Sequence, residues 1–307
     1  MTNNRVFIFT EIVNCAEIGY IMLKSFLKHH PNREINVYGT TSDFDGLNEL
    51  NNNPLIVKHN IDNEYEIIER YKLGHRGSAS IFAKAFKECS ERYVTHIDSD
   101  IYFKKESLSL LEDAMNEGFN CAGSRRCYVK NPSGVKYNEG TPDSISTYFT
   151  IWDKTKINFN SYYHDTFVRM FEGAHNPLDF PILDFADGIC FEIILNGGKI
   201  KFLDSNLIGG QDENGSKKNN YPLNMHMDNG KHLIHFGGVG SGLASFNGSS
   251  NPEKSYADWA LGRWALFAKV FYNKDIPCPH ETKYLGERWV FGNYDDNILS
   301  QVKEQLI

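Results

Sequence analysis

No two cysteines in this 307-residue chain are spaced as C-x-x-C. The six that occur, Cys15, Cys89, Cys121, Cys127, Cys190 and Cys278, are scattered, a pattern of free thiols rather than of a zinc site or a disulfide framework. Long apolar runs are missing as well. None approaches the about 20 residues that a membrane-spanning helix needs, and Val6-Phe7-Ile8-Phe9 near the start is too short for the core of a signal peptide. Positive charge is not in excess: 32 Lys and Arg stand against 39 Asp and Glu, a net charge of −7. That balance argues against a nucleic-acid partner gripped through a basic surface. No internal repeat occurs. The expected setting is cytoplasmic, soluble or on the cytosolic side of a membrane.

What remains is a chain of ordinary globular composition, 41% hydrophobic and 23% charged, long enough to bury a large core. Val6-Phe7-Ile8-Phe9-Thr10 lacks polar alternation and reads as a fully buried strand. Ile18, Ile21, Met22 and Phe26 recur at helical spacing, Pro31 follows, and Ile35 to Gly39 is the next strand. This is a β-α-β opening. Nucleotides commonly bind beyond the carboxyl ends of such strands, so the stretch from Thr10 to Asn14 is a candidate nucleotide contact, an ordinary connection being the plain alternative. Leu55 to Lys58 adds a third strand. Ile81, Phe82, Ala85, Phe86 and Cys89 then mark a helix that Ser78 or Ser80 can cap. Arg76, just ahead of that helix, is placed either for a phosphate or for solvent.

The helix runs into Tyr93-Val94-Thr95-His96-Ile97-Asp98-Ser99-Asp100-Ile101-Tyr102-Phe103. If the chain stays extended, Asp98 and Asp100 project to the same side. Two carboxylates at the end of a buried strand repel each other and lose hydration unless a cation compensates them. An oxygen-rich pair of this kind suits Mg²⁺ or Mn²⁺ with a phosphate completing the shell; a surface turn is the bland alternative. Beyond it, Ser107 to Met115 reads as a helix and Phe119 to Gly123 as a strand. A long loop spans 130–143, and Thr147 to Trp152 is another strand. Ala186, Ile189, Cys190, Ile193 and Ile194 form a helical stripe closed by Gly197-Gly198, ahead of a strand from Lys199 to Leu203. Asp187 falls at that helix start, where a cap and a charged carboxylate both fit. His232 to Phe236 is a short strand leading into Gly237-Gly238. The imidazole of His235 suits Mn²⁺ better than Mg²⁺, and the glycines let backbone N–H groups approach phosphates. Tyr256, Trp259, Trp264, Phe267 and Phe271 mark a later amphipathic helix, read as packing on the main domain.

In this order, the β-α-β start, the Asp-Ser-Asp strand, the Ala-Asp helix and the late His-Phe-Gly-Gly resemble the GT-A class of nucleotide-sugar-dependent glycosyltransferases, over roughly Arg5 to Gly242. The resemblance implies an α/β fold, a Rossmann-type α/β/α sandwich with a mostly parallel central sheet. It is expected to occupy 1–248, with a C-terminal helical extension over 249–307 packed on it. It also implies Asp100 on a divalent metal, Asp98 on the donor ribose or on the metal through water, and His235 completing the shell. Thr10, Asn14, Arg76, Ser99, Gly237 and Gly238 would surround the nucleotide. Asp187 matches the acceptor-activating base. The chain has Ala186 where many inverting members carry Glu, so Asp184 is a rival for that role.

The implied activity is Mn²⁺- or Mg²⁺-dependent transfer of a sugar from a UDP- or GDP-linked donor to a hydroxyl of a glycan, lipid-linked or protein acceptor. Inversion is favoured and retention stays open. A nucleotidyltransferase is the rival with a similar sheet, but it would carry a Gly-rich basic loop after the first strand, which Thr10 to Glu17 lacks. A D-x-D phosphatase fits Ile101-Tyr102-Phe103 poorly. A non-catalytic sugar- or metal-binding module is separated from the enzymes by donor turnover.

Overall fold

The apolar run that opens the chain becomes β1 (Val6–Ile12), and it lies inside a seven-stranded sheet with parallel neighbours on both sides. The structure, a computed structural model, describes residues 5–64, 67, 76–126, 144–157, 186–204, 224–226, 231–236 and 267–273, with 300, 303, 304 and 306. After β1 come α1 (Ala16–His29), β2 (Ile35–Gly39), α2 (Thr41–Gly46), β3 (Ile56–Asn60), α3 (Arg76–Glu88), β4 (Tyr93–Ile97) and β5 (Ile101–Phe103). The series continues with α4 (Leu108–Asn116), β6 (Cys121–Arg126), β7 (Ser144–Asp153), α5 (Asp187–Leu195), β8 (Ile200–Asp204), β9 (Asn224–His226) and β10 (Leu233–His235). The large sheet has the order β3-β2-β1-β4-β7-β6-β8. It is mostly parallel, as expected; only β7 runs against its neighbours β4 and β6.

Side-chain alternation along β1 explains the layers. Ile8 and Ile12 face a core built with Met22 and Phe26 of α1 and Leu111 of α4. Phe9 faces the opposite way, into a core with Phe82 and Phe86 of α3 and Ile189 and Ile193 of α5. Helices therefore cover both faces of the sheet, the α/β/α arrangement. Gly19 lets α1 lie close on β1, because a Cβ there would collide with the Ile12 side chain. The chain moves outward from β1 through β2 to β3 and returns to β4 on the far side of β1. The carboxyl ends of β1 and β4 thus flank a point where strand order reverses, the usual location of a ligand crevice in open α/β sheets.

Three local expectations change. The strand read from Tyr93 to Phe103 stops at Ile97, turns over Ser99 and Asp100, and resumes as β5 in a separate three-stranded sheet of order β5-β10-β9. A carboxylate-Ser-carboxylate triplet favours a turn over continued pairing, since Asp and Ser hydrogen-bond locally. Thr10 lies within β1, as read from the sequence, but the strand runs on to Ile12, into the stretch expected to be a connection. Ala186, expected inside a helical stripe, precedes α5 in the left-handed region at φ 64°. The loop over 130–143, the boundary at 248 and the aromatic positions from Tyr256 to Trp264 lie outside the described residues. Among those described, no helix is long and apolar enough to cross a membrane.

Candidate metal centre

The turn after β4 is anchored through its backbone. The Asp98 N–H donates to the Tyr148 carbonyl at 2.8 Å, and the Asp100 carbonyl accepts from the Phe236 N–H at 2.9 Å. β5 pairs antiparallel with β10, which puts His235 opposite Ile101, the residue after Asp100. Two sequence-distant segments are thereby clamped together. The ligand-capable atoms of Asp98, Asp100 and His235 all lie within 4.8 Å of one another. His235 Nε2 is 3.0 Å from Asp100 Oδ1 and 3.4 Å from Asp98 Oδ2.

The three groups differ in exposure. Asp100 and His235 are 5% and 9% exposed, whereas the Asp98 side chain is 34% exposed. The Tyr148 ring stacks on the His235 imidazole at 4.6 Å and 17°, which fixes the plane of the ring. Burial by itself would lower the His235 pKa, but the adjacent Asp100 and Asp98 carboxylates outweigh it and raise it to about 9.

Beneath the cluster, His96 is buried between Phe9 and Phe82, with centroids at 4.9 and 4.2 Å. Its Nδ1–H donates to the Thr147 carbonyl at 2.8 Å and stands 3.6 Å from Asp98 Oδ1. Burial lowers its pKa against the pull of Asp98, so the ring is neutral. Ser99 is buried, its Oγ 3.6 Å from Cys15 Sγ, tying the Asp-Ser-Asp turn to the start of α1. Burial raises the Cys15 thiol well above the ordinary thiol range, which makes it a packing group rather than a nucleophile.

Thr10 is buried in the sheet, and Asn14 is exposed at φ 54° with its N–H donating to Asp43 Oδ1 at 2.8 Å. Arg76 and Asp187 are the first residues of α3 and α5, and their side chains lie outside the described part of the chain. So do Asp184, Gly237 and Gly238. The N-cap position of α5 belongs to Ala186, so Asp187 is the first helical residue and not the cap. Sequence reasoning missed Tyr148, which carries no motif, and Glu11, a buried carboxylate at the end of β1 that accepts the Ser78 hydroxyl at 2.5 Å. It also missed Asp43, although Thr40-x-x-Asp43 has capping-box spacing and forms that box at the start of α2.

The donor set fits a divalent cation. Neighbouring ligands of an octahedral ion held at about 2.1 Å lie about 3 Å apart, close to the separations of His235 from both carboxylates.

No family profile and no curated protein sequence matches the chain. Solved structures similar to it include mouse xyloside xylosyltransferase 1 in its apo form, at 12% identity and TM-score 0.41, over 65% of this chain and 86% of that one. Galactosyltransferase LgtC in complex with donor and acceptor sugar analogues is similar at 16% identity and TM-score 0.41, over 66% of this chain and 74% of that one. The bifunctional IspDF from Campylobacter jejuni is similar at 12% identity and TM-score 0.37, over 69% and 51%. At these identities and scores the likeness carries no functional weight, which rests instead on the side chains described above.

Proposed function

We propose that this chain is a metal-dependent glycosyltransferase acting on a nucleotide-diphosphate sugar, UDP- or GDP-linked. What supports this is the convergence of Asp98, Asp100 and His235 at the carboxyl edge of β4, beside the point where strand order reverses. A divalent cation bound there supplies positive charge against the diphosphate leaving group. Asp100 and His235, the more buried members, would hold it, with Mn²⁺ preferred over Mg²⁺. Asp98, the more exposed one, would reach the donor ribose as well. Arg76 and Asn14, at the starts of α3 and α1, would contact the nucleotide, with Gly237 and Gly238 offering backbone N–H groups to its phosphates.

Asp187 is the first residue of α5. It would accept the proton of the acceptor hydroxyl as that oxygen attacks the anomeric carbon, the role an inverting reaction requires. Asp184 is the alternative base. The acceptor is a glycan, lipid-linked or protein hydroxyl, and the setting is cytoplasmic.

The test is a turnover assay with UDP- and GDP-sugars and Mn²⁺, reading nucleoside diphosphate against sugar 1-phosphate. Nucleoside diphosphate release is expected; sugar 1-phosphate release, with the nucleoside monophosphate transferred, would point to nucleotidyl transfer, and no turnover to a binding module. Asp100→Ala should abolish transfer and Mn²⁺-stimulated nucleotide binding while far-ultraviolet circular dichroism stays unchanged. Full activity in that variant would overturn the metal assignment. Asp187→Asn should lower transfer by about 10²–10⁴-fold and spare donor binding.

A further inference from the structure

The late helical residues 267–272 have a place beside the site although none of them is among its candidate ligands. β5 and β10 have three residues each, and strands so short fix their own register weakly. The helical residues 267–272 pack against them. Phe267 and Phe236, both buried, meet edge to face at 5.2 Å and 89°. Phe271 lies 5.6 Å from Phe236 and 5.3 Å from Tyr102. Phe236 directly follows His235, and its N–H holds the Asp100 carbonyl; Tyr102 pairs in register with Ile234. In an extended chain Phe236 faces away from His235, so these rings back the cluster from behind. The neighbouring Tyr272 hydroxyl donates to the Glu17 carbonyl at 2.7 Å, in the first turn of α1, two residues beyond the Cys15 that touches Ser99.

We propose that Phe267 and Phe271 are positioning residues for the metal cluster: they lock β5 against β10 and so hold Asp100 and His235 at ligand spacing. This rests on the metal reading above. Metal sites tolerate displacements of only about 0.5 Å, and loss of groups that orient ligands weakens metal affinity by about 10–100-fold.

The test measures Mn²⁺ affinity of the full chain, without nucleotide, from the electron paramagnetic resonance signal of free Mn²⁺. Phe267→Ala and Phe271→Ala are each expected to weaken Mn²⁺ by about tenfold, and Phe271→Tyr, which keeps the ring, to restore it. Phe86→Leu in the core on the opposite face is the control; it should lower the melting temperature and leave Mn²⁺ affinity unchanged. Phe271 is only partly buried, so its alanine variant keeps the question open to experiment if Phe267→Ala fails to fold. Wild-type affinity in folded Phe271→Ala would overturn this proposal alone. An equal loss in Phe86→Leu would reduce the effect to general destabilisation and overturn it as well. Absence of Mn²⁺ binding in the wild-type chain would overturn the metal reading itself, and this proposal with it.

Discussion

At the scale of single residues, Tyr148 shows how a side chain without a motif governs a site. Its carbonyl holds the Asp98 N–H and its ring holds the His235 plane, so one residue orients two of the three proposed ligands. Tyr148→Ala is expected to weaken Mn²⁺ binding by about 10–100-fold, whereas Tyr148→Phe, which keeps the stack, should stay close to wild type; titration calorimetry measures both. Ala186 is a second case. A left-handed conformation costs a residue with a Cβ about 1–2 kcal/mol, and glycine brings back about 0.4–1 kcal/mol of chain entropy. Ala186→Gly should therefore leave urea stability unchanged or raise it by up to about 1.6 kcal/mol. Ala186→Val should lower it. Neither feature was legible in the sequence: Tyr148 reads as one more apolar strand position, and Ala186 reads as a helical residue.

At the scale of elements, His30 joins two helices. Its Nδ1–H donates to the Phe26 carbonyl of α1 at 3.0 Å, and its Nε2 accepts the Ser107 N–H at the start of α4 at 3.1 Å. Acceptance at Nε2 requires the neutral ring. Burial lowers its pKa despite the raising influence of the Phe26 carbonyl and Glu106. A histidine with a depressed folded pKa contributes stability that is present above its ordinary value of about 6.5 and is lost as pH falls through the folded value. Denaturant midpoints should drop as pH falls below about 6.5, and His30→Gln, which gains no proton there, should flatten part of that slope. Among the described residues His29, His59 and His96 are also depressed by burial and share the sign. Elements were the best-read level. The 3.6-residue spacing of Ile18, Met22 and Phe26, and the apolar runs that became β1, β2 and β4, appear where periodicity puts them. The exception is the break at Asp98. Alternation along a strand is local, and it cannot tell that the next three residues will pair with a segment more than a hundred positions away.

For the whole molecule, ligand binding is the readout. A cation that binds only the native chain stabilises it by about 2.7 kcal/mol at one hundred times its dissociation constant. Mn²⁺ is expected to raise the melting temperature by several degrees, and EDTA to reverse the shift; Asp100→Ala should show neither effect. Among the described residues, Cys15, Cys89, Cys121 and Cys190 are free, buried thiols, so none of these four contributes a disulfide that a reductant would remove.

What the sequence by itself determined was the inventory: buried strands alternating with amphipathic helices, two carboxylates one residue apart, and a late histidine. Those follow from side-chain period and residue chemistry, which are properties of neighbours along the chain. Only the tertiary structure decided that β4 ends in a turn, that β5 leaves the main sheet for β10, and that His235 thereby comes within 3.0 Å of Asp100. Such closeness depends on register between distant strands and on the rings that pack behind them, which sequence spacing does not encode.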